Sequence, residues 1–332
     1  MKLLLVSDTH GHLHLLNDLA RKHSVDAVIH AGDFGFYDDA SVDRLTEREL
    51  KLRISHSPLP LAEKKEVLSS HLEDLRKFVR KHLPLSDLIE FLSDDLKFET
   101  PVYAVWGNHE DLEVVKRFHC GDYAVKGLHL LHDQQTYHLE DIHLFGLGGN
   151  CLIGKKFFQL PIAGGGGRVW STFSQYLGLL EVVQGNAQAG ERRLFVSHVS
   201  SGREAFITLM GIHLAADWII SGHMGPPLPM IWDEFAIRTS SEAVQRVKQS
   251  IADIQLALED AHPKDEERYH DRLTALEDPQ WNCVHTQRGQ NVPNFCFNMF
   301  NVNLPDLKAG YALLKVNGDR WSIQSYGEVL FK

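Results

Sequence analysis

Leu3 to Val6 is a short apolar run that stops at Ser7-Asp8, the pattern of a strand buried on both faces. A helical repeat follows over Gly11–His23, with Leu13, Leu15, Leu16 and Leu19 on one face. Ala27 to His30 reads as a second buried strand, broken by Gly32-Asp33. Strand, helix and strand in such close succession make a βαβ unit. Pro101 to Trp106 is a third strand of the same kind and runs into Gly107-Asn108-His109-Glu110. Further strands are predicted at His143–Leu147, Arg193–Ser197 and Asp217–Ser221. All of these strands except His143–Leu147 end in a polar cluster. Open α/β sheets bind ligands outside the carboxyl ends of their strands, so the chemistry of this chain is expected there.

Two stretches break the alternation. Between about residues 40 and 100 the period is helical: Val67, Leu68, Leu72, Leu75, Val79 and Leu83 mark Ala62–Leu83, and Leu85–Leu96 continues in the same manner. This predicts a helical insertion. A second helical segment lies at about 240–280. Within Ser241–Ala261, Val244, Val247, Ile251, Ile254 and Leu258 recur three and four apart, a stripe too short for a coiled coil and suited to packing on its own domain. Gly164–Gly167, followed by Arg168, lacks the Gly-Lys-Ser/Thr ending of a phosphate-cradling loop and reads as a mobile surface turn. Asn294 to Tyr326 alternates as antiparallel strands, with a turn at Asn317-Gly318. The expectation is a single domain over 1–332 that carries both helical segments.

Composition narrows the class. Hydrophobic residues are 43% and charged residues 23%, which excludes global disorder and fibrous repeats. No apolar run approaches the roughly 18–20 residues of a membrane span. The four-residue apolar stretch before Ser7-Asp8 reads as a first strand, not as a secretion signal. With 34 Lys and Arg against 44 Asp and Glu, the net charge of −10 does not favour tracking along a phosphate backbone. Four cysteines without CxxC spacing imply free thiols in a reducing, cytoplasmic setting. The surplus is in histidine, at 20 residues, the commonest transition-metal ligand.

Five clusters follow apolar strands in order: Asp8-Thr9-His10, Gly32-Asp33, Gly107-Asn108-His109-Glu110, Ser197-His198 and Gly222-His223. Any one arises by chance; the series does not. Carboxylate oxygens with imidazole nitrogens suit Mn²⁺, Fe or Zn²⁺ better than a thiolate-seeking metal. This series resembles the calcineurin-like metallophosphoesterase superfamily, over roughly residues 1–35, 100–150 and 193–230. The resemblance implies a four-layer α/β/β/α sandwich with two divalent metal ions at the strand ends, Mn²⁺ favoured. It implies Asp8 and His10 on the first ion, Asp33 bridging both, and Asn108, His198 and His223 completing the second. His109 matches the family's catalytic histidine, which approaches substrate without binding metal.

One position departs: Gly222-His223-Met224-Gly225 has Gly where the pattern ends in His, which removes a ligand from the first ion. The Gly-Asp-x-Val-Asp-Arg-Gly signature of the phosphoprotein phosphatases is also absent, since Phe34-Gly35-Phe36-Tyr37 follows Asp33. The implied reaction is hydrolysis of a phosphoester by a hydroxide bridging the ions, with His109 as general acid. Glu110 or Asp111 is expected to orient its imidazole. Arg203 is the first candidate to grip the substrate phosphate, ahead of Arg117 and Arg238. His12 and His30 fall outside the pattern and are assigned no metal. A phosphatase or small phosphodiesterase is favoured over a nuclease of the same fold, which the charge disfavours, and over a protein-binding scaffold, which has no use for His109.

Overall fold

A computed structural model describes residues 1–159, 162–223, 239–261, 263–276, 284–287, 290–293 and 299–327. The chain opens with β1 (Lys2–Val6), α1 (His14–His23) and β2 (Ala27–Ala31). Five helices follow: α2 (Ser41–Arg44), α3 (Glu47–His56), α4 (Leu61–Leu68), α5 (Leu72–His82) and α6 (Leu88–Leu92). Next come β3 (Val102–Val105), α7 (Leu112–His119), β4 (Leu128–Leu130), β5 (Tyr137–Leu139) and β6 (Ile142–Leu147). A 3-10 turn at Lys155–Phe158 leads to β7 (Ala163–Gly165), β8 (Arg168–Trp170), α8 (Phe173–Gly185), β9 (Arg192–Ser197), α9 (Ala205–His213) and β10 (Trp218–Ser221). The remainder comprises α10 (Ser240–Glu259), α11 (Pro263–Leu276), β11 (Val284–Gln287), β12 (Gln290–Pro293), β13 (Phe300–Asn303), β14 (Gly310–Asn317) and β15 (Arg320–Gly327).

The strands assemble into two main sheets, ordered β15-β14-β1-β2-β3-β4 and β13-β10-β9-β6-β5. β1, β2, β3 and β4 run parallel, as do β6, β9, β10 and β13. Period-two alternation sends the side chains of each strand to two different cores. Leu3, Leu5, Ile29 and Val105 of the first sheet meet Leu144, Val196 and Ile220 of the second. Leu4, Val28 and Ala104 instead face α1 and α7 through Leu16 and Val115, and Phe145, Phe195 and Ile219 face α8 and α9. Helices therefore cover both outer faces, the expected α/β/β/α arrangement. Burial on both faces explains why the strands read as near-continuous apolar runs.

The insertion is helical, but Ala62–Leu83 is not one helix; Ser69, Ser70 and His71 separate α4 from α5. A third core of Tyr37, Val42, Leu45, Leu50, Ile54, Leu75, Val79 and Leu85 ties it together. α10 packs on its own chain as the stripe suggests, with Val247, Ile251, Ile254 and Leu258 buried. Two expectations change. The glycine-rich turn is the tip of the β7–β8 hairpin, and it docks on the insertion: Thr46 N–H donates to Gly166 O at 3.1 Å. In the tail, β14 and β15 pair antiparallel around a turn at Gly318-Asp319, one residue later than expected, but β13 lies parallel to β10. A central partner on one edge overrode the local hairpin pattern there. Met224, Gly225, Arg238, Cys283 and Cys296 lie outside the described residues.

Candidate metal centre

The carboxyl ends of β1, β2, β9 and β10 and the loop after β3 converge on one point. Asp8, His10, Asp33 and His223 all have left-handed backbone, with φ of 53°, 48°, 49° and 60°. Non-glycine residues rarely adopt it, and here neighbouring hydrogen bonds hold them. Asp8 N–H donates to Gly32 O at 2.9 Å and His10 N–H to Asp33 O at 2.8 Å, so the loops after β1 and β2 are zipped together. His109 N–H donates to Asp33 Oδ1 at 2.9 Å. Gly107 permits this approach, because a Cβ there would stand 1.9 Å from Asp33 Oδ1. Gly32, at φ 96°, likewise makes room for the His198 ring.

Two triads could hold an ion, Asp8-His10-Asp33 and Asp33-His198-His223, each with ligand atoms within 4.8 Å. Asp33 belongs to both. Asn108 joins the second, its Oδ1 2.9 Å from His198 Nε2. His198 Nδ1 donates to Ala31 O at 2.8 Å, which leaves a lone pair on Nε2. Burial pushes the His198 pKa down, which favours the neutral ring that a metal ligand needs. At Asp8, burial and the charge of Asp33 push the pKa up to about 7, a cost that a bound cation would offset. Burial also opposes ionisation of Asp33, but His198, His10 and His109 hold its pKa below the usual carboxylate range. The donor set therefore fits divalent cations chemically, with oxygen and imidazole ligands and a surplus of buried negative charge.

His109 is outside both triads, and its side chain is 26% exposed. Neither Glu110 nor Asp111 orients it. Glu110 is fully buried and accepts N–H bonds from Phe36 at 2.6 Å and Gly107 at 3.2 Å, bracing the turns beneath the site. Asp111 caps α7 and pairs with Ser41 and Arg44. The orienting group is Glu49 of α3: its Oε2 is 2.9 Å from His109 Nδ1, and its Oε1 accepts from Arg168 Nε at 2.8 Å. Burial alone would lower the His109 pKa; the Glu49 hydrogen bond and the charges of Asp33 and Glu49 outweigh it and raise the pKa. One turn along α3, Arg53 Nη1 donates to His10 O at 3.1 Å, and its Nη2 reaches the carbonyls of Pro84 and Leu85. One face of α3 thus holds both the imidazole and the loop after β1.

Glu49 and Arg168 were missed by sequence reasoning. Thr46-x-x-Glu49 is a capping-box signature, and Glu49 N–H does donate to the Thr46 hydroxyl at 3.4 Å, but its carboxylate goes to His109 and Arg168 instead. Arg203 lies beside His223, whose carbonyl accepts from its Nη1 at 3.0 Å. Arg117 pairs with Asp38 and Tyr123 and does not reach the site. His30 is buried behind the ligands, 2.9 Å from the Thr9 hydroxyl.

The sequence model of the calcineurin-like phosphoesterase family matches residues 1–227. The chain belongs to that family, whose members are metal-dependent phosphoester hydrolases that generally bind two divalent metals. No curated protein sequence matches it. One solved structure aligns over 98% of this chain and 99% of its own at 11% identity and a TM-score of 0.50, a likeness of fold alone. A dimetal phosphatase from Danio rerio aligns over 98% of this chain and 96% of its own at 12% identity, with a TM-score of 0.40. Among the described residues, no helix is long and apolar enough to cross a membrane.

Proposed function

We propose that the chain hydrolyses small phosphate esters, monoesters or compact diesters, at a dinuclear centre held by Asp8, His10, Asp33, Asn108, His198 and His223, with Mn²⁺ the favoured metal. The supporting observation is that Asp33 is shared by both triads while the His109 imidazole stands beside them, paired with Glu49 and belonging to neither triad. When bound, a pair of divalent cations supplies an activated water and offsets charge on the phosphoryl oxygens. Asp33 would be shared by the two ions and Asn108 would add a neutral carbonyl ligand, while His223 is anchored to the first triad by its N–H on Asp8 Oδ2 at 3.2 Å. His109 donates its proton from Nε2 to the leaving oxygen. Nδ1 is committed to Glu49, so Nε2 is the nitrogen left for substrate. The raised pKa keeps more of the ring in its acidic form near neutrality. Arg203, which donates to the His223 carbonyl, and Arg168, which shares Glu49 with His109, are the cations proposed to meet the substrate phosphate.

The test is turnover of an aryl phosphate and of a bis-aryl phosphate with Mn²⁺ present, in the wild type and in His109→Ala. Turnover should fall by about 10²–10⁴-fold in the variant, the usual contribution of a general acid. Its metal content by elemental analysis should equal that of the wild type. Loss of the metals in His109→Ala would show that the residue supports binding and not proton transfer. No turnover of either ester by metal-loaded wild type would overturn the assignment.

A further inference from the structure

A second set of metal-type donors lies at the outer flank of the first sheet, away from the centre described above. His119 is the last residue of α7, and His132 and Asp133 form the turn just beyond β4. His119 Nε2 is 2.9 Å from Asp133 Oδ1, and His132 Nδ1 is 3.8 Å from the same oxygen. The two imidazole rings stand 4.5 Å apart between centroids. One ligand atom from each residue lies within 4.8 Å of the other two. The three side chains are only 12–17% exposed, so the donors are sheltered but reachable.

We propose that His119, His132 and Asp133 bind a further divalent transition-metal ion of the zinc class, with water in an open fourth position. Zinc bonded at about 2.0–2.2 Å in tetrahedral directions holds neighbouring ligands about 3.3–3.5 Å apart. The observed 2.9 and 3.8 Å from the two imidazoles to Asp133 Oδ1 bracket that spacing, and the ligand atoms of all three residues lie within 4.8 Å of one another. A hydrogen bond between His119 and Asp133 alone would not call for a second imidazole. His132 Nδ1 accepts a long 3.3 Å hydrogen bond from Gln134 N–H, so the ring carries its lone pair on that nitrogen, and an ion bound there would take the place of this one weak bond.

Charge separates this set from its look-alike. His138, His143 and Glu191 also cluster, but there Arg193 Nε lies 3.0 Å from Glu191 Oε1 and already supplies the positive charge. Among the described residues, no lysine or arginine ion-pairs with Asp133. The ion would pin the end of α7 to the end of β4. α7 starts directly after the loop bearing Asn108 and His109, and the Trp106 ring ahead of that loop meets His119 edge-on at 6.3 Å. The role that follows is bracing, not chemistry.

The direct test is a crystal of the chelator-treated full chain soaked in limiting zinc, with diffraction recorded on either side of the zinc absorption edge. An anomalous peak among His119, His132 and Asp133 is expected, and its absence overturns the site. In solution, His132→Gln should hold about one zinc ion fewer per chain than wild type after dialysis, with unchanged turnover. Asp133→Asn serves the same purpose if His132→Gln does not fold. Equal zinc content in wild type and a folded variant would also overturn the proposal.

Discussion

At the scale of the residue, the proposed ligands stand out in the sequence because each sits at the end of an apolar run, where the change from buried to polar is abrupt. Asp8, Asp33 and His223 needed no long-range information to be singled out. Glu49 did. It comes from a helix 60 residues before His109, and its local sequence advertises a cap. Nothing in the spacing of the insertion tells which of its acids turns inward. The structure makes Glu49 a positioning residue with both oxygens in use. Glu49→Gln keeps the size but loses the charge and one acceptor, so the ring can no longer be held by one oxygen while Arg168 is held by the other. We expect kcat to fall about 10- to 100-fold with KM changed less than about threefold, as for loss of an interaction made mainly in the transition state. Metal content should not change. An unaltered kcat would reduce Glu49 to the helix-start residue that its sequence suggests.

At the scale of the element, strands were easier to read than their partners. β1, β2, β3 and β9 declare themselves by apolar runs, but pairing is a property of the other strand too. Asn301 and Val302 carry no local sign that β13 will lie parallel to β10. α1 starts at His14, later than its apolar stripe, because residues 8–12 form the loop zipped to the one after β2. The β5–β6 edge shows a further consequence of pairing. His143 is buried, its Nδ1 2.9 Å from Glu191 Oε1, and His138 stacks on it with ring centroids 4.4 Å apart. Burial lowers the His143 pKa, so its contribution to stability is present above about 6.5 and is lost as pH falls below it. Burial opposes ionisation of Glu191, but the His143 hydrogen bond wins and lowers its pKa. Its contribution is kept above about 4.5 and lost below. Both signs agree: acidification should loosen this edge in two stages, the first as pH falls below about 6.5. Hydrogen exchange at 142–147 should rise between pH 7.5 and 5 before β1 and β2 respond. In His143→Phe the first stage should vanish. Uniform exchange across both sheets over that range would contradict the assignment.

At the scale of the whole molecule, the two sheets bring several acids to one place. Asp8, Asp33 and Glu110 are all buried within a few residues of the strand ends, and burial with the charge of Asp33 pushes the Glu110 pKa up to about 8. Sequence order could not show this convergence, because the first sheet contributes β1, β2 and the loop after β3, and the second contributes β9 and β10. Only the resemblance implied it. The fold thus holds together a site whose charges favour a bound cation, and stability and metal binding must be linked. An ion at a hundredfold excess over its Kd stabilises the folded chain by about 2.7 kcal/mol, so two contribute about 5 kcal/mol. At roughly 2 °C per kcal/mol for a chain of this length, chelation should lower the Tm by about 10 °C. Added Mn²⁺ should restore it. Asp33→Asn weakens both triads at once, so its Tm should respond far less to chelator than that of the wild type. A full Tm response surviving in that variant would mean that the stabilising ions bind away from Asp33, and the His119–His132–Asp133 flank would be the first place to look for one of them.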